Sequence, residues 1–336
     1  MISSVQIDPN GLCNSDCWFC PVAYKPNPEH AKGNMPIEMF DNILKQLHEG
    51  KGTFVHPDLQ VIFTAHYNEV LLYKHLEELL QIMPKYNFKT DILSNGIAFT
   101  KARIDLLDKY PDSVSCVNLN IPSLDPEVWS KLVKKPPQML AKIKENILYA
   151  LNKPNFLNKK IPIFICVNGI SDPHIVSKSE FGHIEMLENA PEYDTTQIKG
   201  IQDKTVKQFE SAFPGVHPYA QGMVDRAGLL AASGVVTNMP FIEQNVQKQF
   251  GKGTKDLKVV GCGYSDIGNR IDNWIHVNSI GDMFLCCNDF DMTTVFGNVK
   301  DKTIKEIWDS PEHQKMIQIG YDGMCRKCIS AIWEEK

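Results

Sequence analysis

Along the first two-thirds of the chain, short runs of apolar and β-branched residues alternate with stretches whose apolar positions recur every three or four residues. Ser4–Asp8 reads as a strand. Pro36–His48 reads as a helix, opened by its proline, with Ile37, Phe40, Ile43, Leu44 and Leu47 on one face. The same reading gives strands over Leu59–Ala65, Phe88–Leu93, Val114–Ile121, Ile161–Val167 and Val216–Met223. Between them it gives helices over Leu71–Met83, Lys101–Lys109, Pro126–Val133, Met139–Leu151 and Ser179–Glu188. Strand–helix alternation with little linker predicts a parallel sheet covered by helices. The expected fold is α/β, a partial (β/α)6 TIM-like barrel, although periodicity alone suits a flat doubly wound sheet equally.

From about Val259 the rhythm is lost, and short segments, glycines and five cysteines replace it. The Gly251–Lys255 stretch reads as a hinge. The expected domains are therefore residues 1–255 and a small cysteine-rich unit, residues 256–336. A unit of that size has little core of its own and commonly needs a metal staple.

Composition narrows the classes. Lys and Arg number 35 against 40 Asp and Glu, a net charge of −5, and no basic block offers itself to a phosphate backbone. No secretory signal opens the chain and no apolar run reaches the length of a membrane span. Ten cysteines in such a chain indicate metal or redox chemistry in the cytoplasm rather than a disulfide framework.

Three of them, Cys13, Cys17 and Cys20, sit together just after the first strand, at the carboxyl end where parallel βα folds build their ligand sites. Three thiolates make a poor structural zinc site, which needs four ligands, but they suit a cubane iron–sulfur cluster with one iron left open. The segment resembles the signature of the radical S-adenosylmethionine (SAM) superfamily. That resemblance implies a SAM-binding [4Fe-4S] cluster held by Cys13, Cys17 and Cys20, with Phe19 beside the adenine. It also implies reductive cleavage of SAM to a 5′-deoxyadenosyl radical that abstracts a hydrogen atom from a substrate.

It extends to other strand ends. Asn68 and Glu69 stand where the family binds the methionine amino group, although the usual glycines and proline are missing; as local chemistry the pair reads as a helix cap, with Asn68 capping. Asn95, in Ser94-Asn95-Gly96, matches a family turn and is also ordinary turn chemistry. Asn118, Asn120 and Ser123 close the fourth strand, where relatives hold the ribose. Strand alternation puts the two asparagines on one face, where buried amides need partners. Arg226, in Asp225-Arg226-Ala227-Gly228, is a candidate carboxylate clamp or a structural partner of Asp225.

In the second unit, Cys262, Gly281 with four residues to Cys286, and the pair Cys325 and Cys328 resemble the SPASM/twitch extension of the superfamily. The further cysteine run of the longer SPASM form is missing, so a twitch domain is expected. Its auxiliary [4Fe-4S] cluster would be held by Cys262, Cys286, Cys325 and Cys328, with Cys287 as an alternative to Cys286 and zinc as the alternative metal. Cys116 and Cys166 fall within strands as inert core residues, and either of them, or Cys287, could instead donate a hydrogen atom to a substrate radical.

The resemblance implies a radical SAM dehydrogenase whose auxiliary cluster accepts an electron. The alternatives are a radical epimerase or bond-forming maturase of a ribosomal peptide, and a non-catalytic iron–sulfur carrier. Against the carrier stands the open iron, which a pure carrier does not need. The chain starts at the first barrel strand, so no fused leader-binding domain is expected. Implied partners are a small-molecule or peptide substrate and an electron donor such as flavodoxin or ferredoxin; neither a membrane nor nucleic acid is expected. Substrate identity is not written in the motifs.

Overall fold

The structure is a computed structural model, and it describes residues 1–25, 27, 31–64, 68–168, 195–221, 226–233, 239–263 and 270–336. Six strands form one wall: β1 (Ser4–Ile7), β2 (Val61–Phe63), β3 (Lys89–Ser94), β4 (Val114–Asn120), β5 (Ile163–Asn168) and β6 (His217–Gln221). They lie side by side in sequence order and every pair is parallel. A doubly wound sheet reverses its strand order partway. This sheet does not, so the singly wound partial barrel is the fold.

The helices of the wall are α1 (Ile37–Glu49), α2 (Leu76–Ile82), α3 (Lys101–Lys109), α4 (Pro126–Val133), α5 (Gln138–Leu151), α6 (Pro154–Leu157) and α7 (Thr195–Ala212). Helix α1 forms as its pattern dictates, with Phe40, Ile43, Leu44 and Leu47 buried. Asp125 caps α4 by accepting from the amides of Glu127 and Val128, with Pro126 in the first turn. One apolar cluster joins Ile143 and Ile147 of α5 to Val117 and Leu119 of β4 and Ile163 and Ile165 of β5. The other face of β4 carries Cys116, Asn118 and Asn120, half-buried. Alternation along the strand thus separates an apolar outer layer from a polar barrel lining.

Two expected elements differ. The helix predicted over Leu71–Met83 is broken: Val70–Leu72 is one 3₁₀ turn, and the α-helix starts only at Leu76. Tyr73 is fully buried and extended between them, its hydroxyl donating to the Met35 carbonyl at 2.7 Å. The Lys74 amide donates to Asn34 Oδ1 instead of a helical carbonyl. The second strand is shorter than predicted, covering Val61–Phe63. The helix predicted over Ser179–Glu188 lies outside the described residues.

Beyond β6 come α8 (Leu229–Ala232), α9 (Met239–Phe250), β7 (Leu257–Cys262), β8 (Trp274–Val277), β9 (Asp282–Phe284), β10 (Val295–Asn298), α10 (Ile304–Trp308), α11 (Pro311–Asp322) and β11 (Ala331–Glu335). Strand β8 pairs parallel to β1, and β9 and β10 add antiparallel strands outside it, extending the barrel sheet. Strands β7 and β11 form a separate antiparallel ribbon.

Candidate active site

The loop from Gly11 to Cys20 leaves the carboxyl end of β1 and is held from several sides. Gly11 accepts from Asn27 Nδ2 at 3.0 Å, and a Cβ at Gly11 would lie 1.8 Å from the Ala31 carbonyl oxygen, so only glycine fits this approach. The Leu12 amide donates to Asn10 Oδ1, and the Leu12 carbonyl accepts from the Glu69 amide at 2.8 Å. Ser15 Oγ lies 3.2 Å from Cys17 Sγ and donates to the Val133 carbonyl. Trp18 is buried beside Val128, Leu132 and Leu230, and Phe19 packs against that cluster, edge-on to Trp18 at 6.2 Å.

Cys20 is close enough to raise the proton affinity of Cys13 and Cys17, and Cys13 that of Cys17. Cys13 lies at the exposed lip, yet lost hydration still pushes its thiol up to about 11, with Glu69 and Cys20 adding to the rise. Burial pushes Cys17 and Cys20 up as well, and the Arg226 guanidinium partly offsets the shift at Cys20. Thiols so placed become thiolates readily only against a strong local positive charge. An iron–sulfur cluster supplies one. Among the described residues no three His, Cys, Asp or Glu side chains converge on a point that would hold a single ion.

The remaining candidates divide into committed and open groups. Glu69 itself caps the Val70–Leu72 turn, a role that the local pattern assigns to Asn68. Its carboxylate accepts from the Leu71 amide at 3.2 Å and the Asn95 amide at 2.9 Å. It is 1% exposed, and burial pushes it up to about 7. Asn95 is fully engaged: Nδ2 donates to Asn14 Oδ1 at 2.7 Å and approaches Cys13 Sγ at 3.7 Å, while Oδ1 accepts from Ile97. It braces the cysteine loop. Ser123 Oγ accepts from the Asp125 amide, leading into the α4 cap. Asn68 is open, with both side-chain polar atoms buried and without a hydrogen-bond partner, and so is Asn120 Oδ1. Orphaned amides at the cysteine loop and the barrel lining are what a polar ligand such as SAM would satisfy.

Pairing across the wall sets Asn120 beside Cys166, and Cys166 beside Tyr219. Asn118 Nδ2 donates to Tyr219 Oη at 2.8 Å, and Cys166 Sγ donates to Gln221 Oε1 at 3.1 Å. The Tyr219 hydroxyl also bonds the Cys166 sulfur, which burial pushes up to about 11. Cys116, four residues before Asn120, lies about 13 Å deeper at ~3.3 Å per residue, beside Asp91. Neither cysteine belongs to the outer apolar core: both line the barrel. Tyr219 and Gln221 escape a reading of the sequence because a tyrosine or glutamine within a strand carries no local signal.

The second thiol set is assembled by the ribbon. Ala331 pairs with Cys262, and the Cys325–Cys328 turn immediately precedes β11. Arg326 ties that turn to the start of β7: its guanidinium donates to the carbonyls of Leu257, at 2.9 Å, and Thr254, and lies over Trp333. Burial pushes Cys325 up to about 12, with Cys328 and Cys262 adding to the rise. Asn288 reaches both neighbours, its amide donating to Cys286 Sγ at 3.4 Å and its Nδ2 approaching Cys328 Sγ at 3.9 Å. Cys287 is near enough to act on Cys328.

Two families match this chain: the radical SAM superfamily over residues 7–154, and SPASM, an iron–sulfur cluster-binding domain, over residues 269–329. The chain therefore carries a radical SAM domain followed by an iron–sulfur cluster-binding domain of the SPASM kind. Its cofactors are SAM, a SAM-binding [4Fe-4S] cluster and auxiliary iron–sulfur chemistry of the SPASM/twitch kind. Among solved structures, this radical SAM protein is similar to BtrN in complex with AdoMet and 2-DOIA, at 15% identity and TM-score 0.50 over 98% of this chain and 93% of that one. It is also similar to Streptococcus suis SuiB bound to precursor peptide SuiA, at 16% identity and TM-score 0.55 over 94% and 66% of the two chains. A third likeness is to native anSMEcpe with bound AdoMet, at 14% identity and TM-score 0.54 over 97% and 86%. At these identities the likeness concerns the fold. No curated protein matches the sequence. No helix among the described residues is long and apolar enough to cross a membrane.

Proposed function

We propose that this radical SAM enzyme carries out a two-electron oxidation of a substrate held between two iron–sulfur sites. Cys13, Cys17 and Cys20 would hold the SAM-binding cluster. Cys262, Cys325, Cys328 and Cys286, or its neighbour Cys287, would hold the auxiliary one, in a C-terminal domain starting near residue 256. The observation that carries this reading is one cavity of about 280 Å³ bounded by both regions: Tyr24 and Lys25, just after Cys20, on one side, and Asn288 and Lys327 on the other. A substrate held there would lie between the stretch that follows the first cysteine set and the residues that flank the second.

When bound, the first cluster and SAM supply a 5′-deoxyadenosyl radical. The chain's own part is to place and shield it. Phe19 and Trp18 wall the cysteine loop, Asn68 would hold the methionine end of SAM with Glu69 bracing the turn behind it, and the packed barrel keeps water and stray C–H bonds away. An electron donor such as flavodoxin or ferredoxin would feed the first cluster. SuiB and anSMEcpe are known with bound peptides, which supports a peptide among the candidate substrates.

A second reading, radical epimerisation, is favoured by one observation: the protonated Cys166 thiol, bonded to Tyr219, faces the barrel lining. The tests separate these readings. Anaerobic reduction with SAM yields 5′-deoxyadenosine from the intact protein and none from Cys17→Ala; equal yields from both would end the enzyme reading. A product two hydrogens lighter supports oxidation. Deuterium taken from solvent, and lost in Cys166→Ser, supports epimerisation instead.

A further inference from the structure

The 280 Å³ cavity has a charge pattern of its own. Its charged lining is Lys25, Arg226, Asp289, Asp291 and Lys327. Lys25 and Asp291 pair with each other. Asp289 is turned into its own loop, accepting from the amides and hydroxyls of Thr293 and Thr294 at 2.5–3.0 Å. Arg226 and Lys327 are left: among the described residues neither side chain has a hydrogen bond or an ion pair. The Asn288 side chain in the same wall has a buried, unpartnered Oδ1. Among the described residues the lining therefore keeps one positive charge in excess, and neither the guanidinium nor the ammonium has a partner there.

The backbone that presents Arg226 is unusual. Arg226, Ala227 and Gly228 are consecutive left-handed residues, at φ 52, 56 and 87°. Residues with a Cβ resist that region, and such turns persist where the surroundings over-determine them, commonly at ligand sites. Here the Lys327 side chain is packed against the turn, 2.7 Å from where a Gly228 Cβ would sit. The turn thereby brings the two free cations to one cavity. The guanidinium also lies close enough to Cys20 and Cys166 for its charge to act on both thiols.

We infer that Arg226 and Lys327 form a carboxylate-binding site, and that the carboxylate belongs to the substrate. The planar fork of arginine matches a carboxylate bidentately. One excess positive charge balances a monoanion, whereas a phosphate monoester carries close to two negative charges at neutral pH. Anchored there, the substrate's acid end lies beside the cysteine loop and the rest of it can extend over the barrel lining at Cys166. This substrate class, a free amino-acid-type or peptide carboxylate, rests on the proposed radical chemistry, but its test reads binding and not turnover.

The probes are N-acetylglycine and its neutral analogue N-acetylglycinamide, titrated calorimetrically into the anaerobically reconstituted full chain, with and without saturating SAM. The acid is expected to bind at least tenfold tighter than the amide with SAM present. Arg226→Gln should weaken the acid tenfold or more, Arg226→Lys less than that, and the exposed Lys327→Gln a few-fold. Acid and amide binding alike, or both glutamine variants leaving the acid's affinity intact, would overturn the site. If SAM instead displaces the acid, and Arg226→Gln weakens SAM but not decarboxylated SAM, the carboxylate is SAM's own and the assignment to the substrate is overturned. Absence of 5′-deoxyadenosine would sink the proposed function while leaving these affinities readable.

Discussion

Replacing Glu69 by alanine would cut three segments loose from one another. Its carboxylate accepts from two amides, those of Leu71 at 3.2 Å and Asn95 at 2.9 Å, and Asn95 in turn holds Asn14 in the cysteine loop. Glu69 is 1% exposed, so water does not readily replace the lost oxygens. Each orphaned buried donor costs about 1–3 kcal/mol, which puts Glu69→Ala at about 2–6 kcal/mol, with the cysteine loop losing its brace as well. Glu69→Gln keeps one acceptor and should cost about half as much. The two states of the carboxyl add a pH signature. Its folded value, raised to about 7 from the usual 4.5, means that the folded chain binds a proton which the unfolded chain has already released. Wild-type stability therefore falls as pH rises from about 4.5 to about 7, and the glutamine variant lacks that slope. Urea midpoints at constant slope, taken at pH 5.5 and 8, and iron content after anaerobic reconstitution measure both effects. A Glu69→Ala protein within about 0.5 kcal/mol of wild type (on the order of measurement error) and with full iron would refute the reasoning.

The two cysteine sets should also be separable by metal count. Intact protein should carry about eight irons and eight sulfides, and Cys17→Ala and Cys328→Ala about four each, at four irons per cubane; zinc in either variant would contradict the ligand sets. Arg326→Gln removes the tie from the Cys325–Cys328 turn to the Leu257 and Thr254 carbonyls. Two charge-assisted hydrogen bonds at about 1.5–3 kcal/mol each predict a lower unfolding midpoint and loss of auxiliary iron before SAM-cluster iron on mild heating. His313, 2% exposed between Phe296 and Trp308, has its proton affinity lowered by burial. The unfolded chain takes up that proton first, so stability should decline as pH falls below about 6.5. His313→Phe should flatten the acid limb of the urea midpoint against pH, and an unchanged limb would refute the assignment.

Much of the site was legible in the residues because its chemistry is local. The spacing of Cys13, Cys17 and Cys20, and of Cys325 and Cys328, is set within one loop or turn, and the strand before the first set, β1, is a short, largely buried run of the parallel sheet. The failures have a common cause. The helix expected over Leu71–Met83 gives way because Tyr73 and Lys74 find better partners in Met35 and Asn34, some 40 residues away along the chain. Cys116 and Cys166 read as core thiols because a strand pattern does not reveal which face turns toward helices. Ser15, Tyr219 and Gln221 are ordinary residues until folding gives them a cysteine to touch.

By itself, the sequence determined the alternation of strands and helices, the cysteine spacings and the lack of a basic block, all properties of neighbours along the chain. Only the tertiary structure decided the unreversed strand order, the cap role of Glu69, the Asn118–Tyr219–Cys166–Gln221 chain and the meeting of Arg226 with Lys327. Those depend on strand register and on turns that bring together residues as much as a hundred positions apart. Such distances in sequence are closed by burial of the shared core, which no single segment encodes.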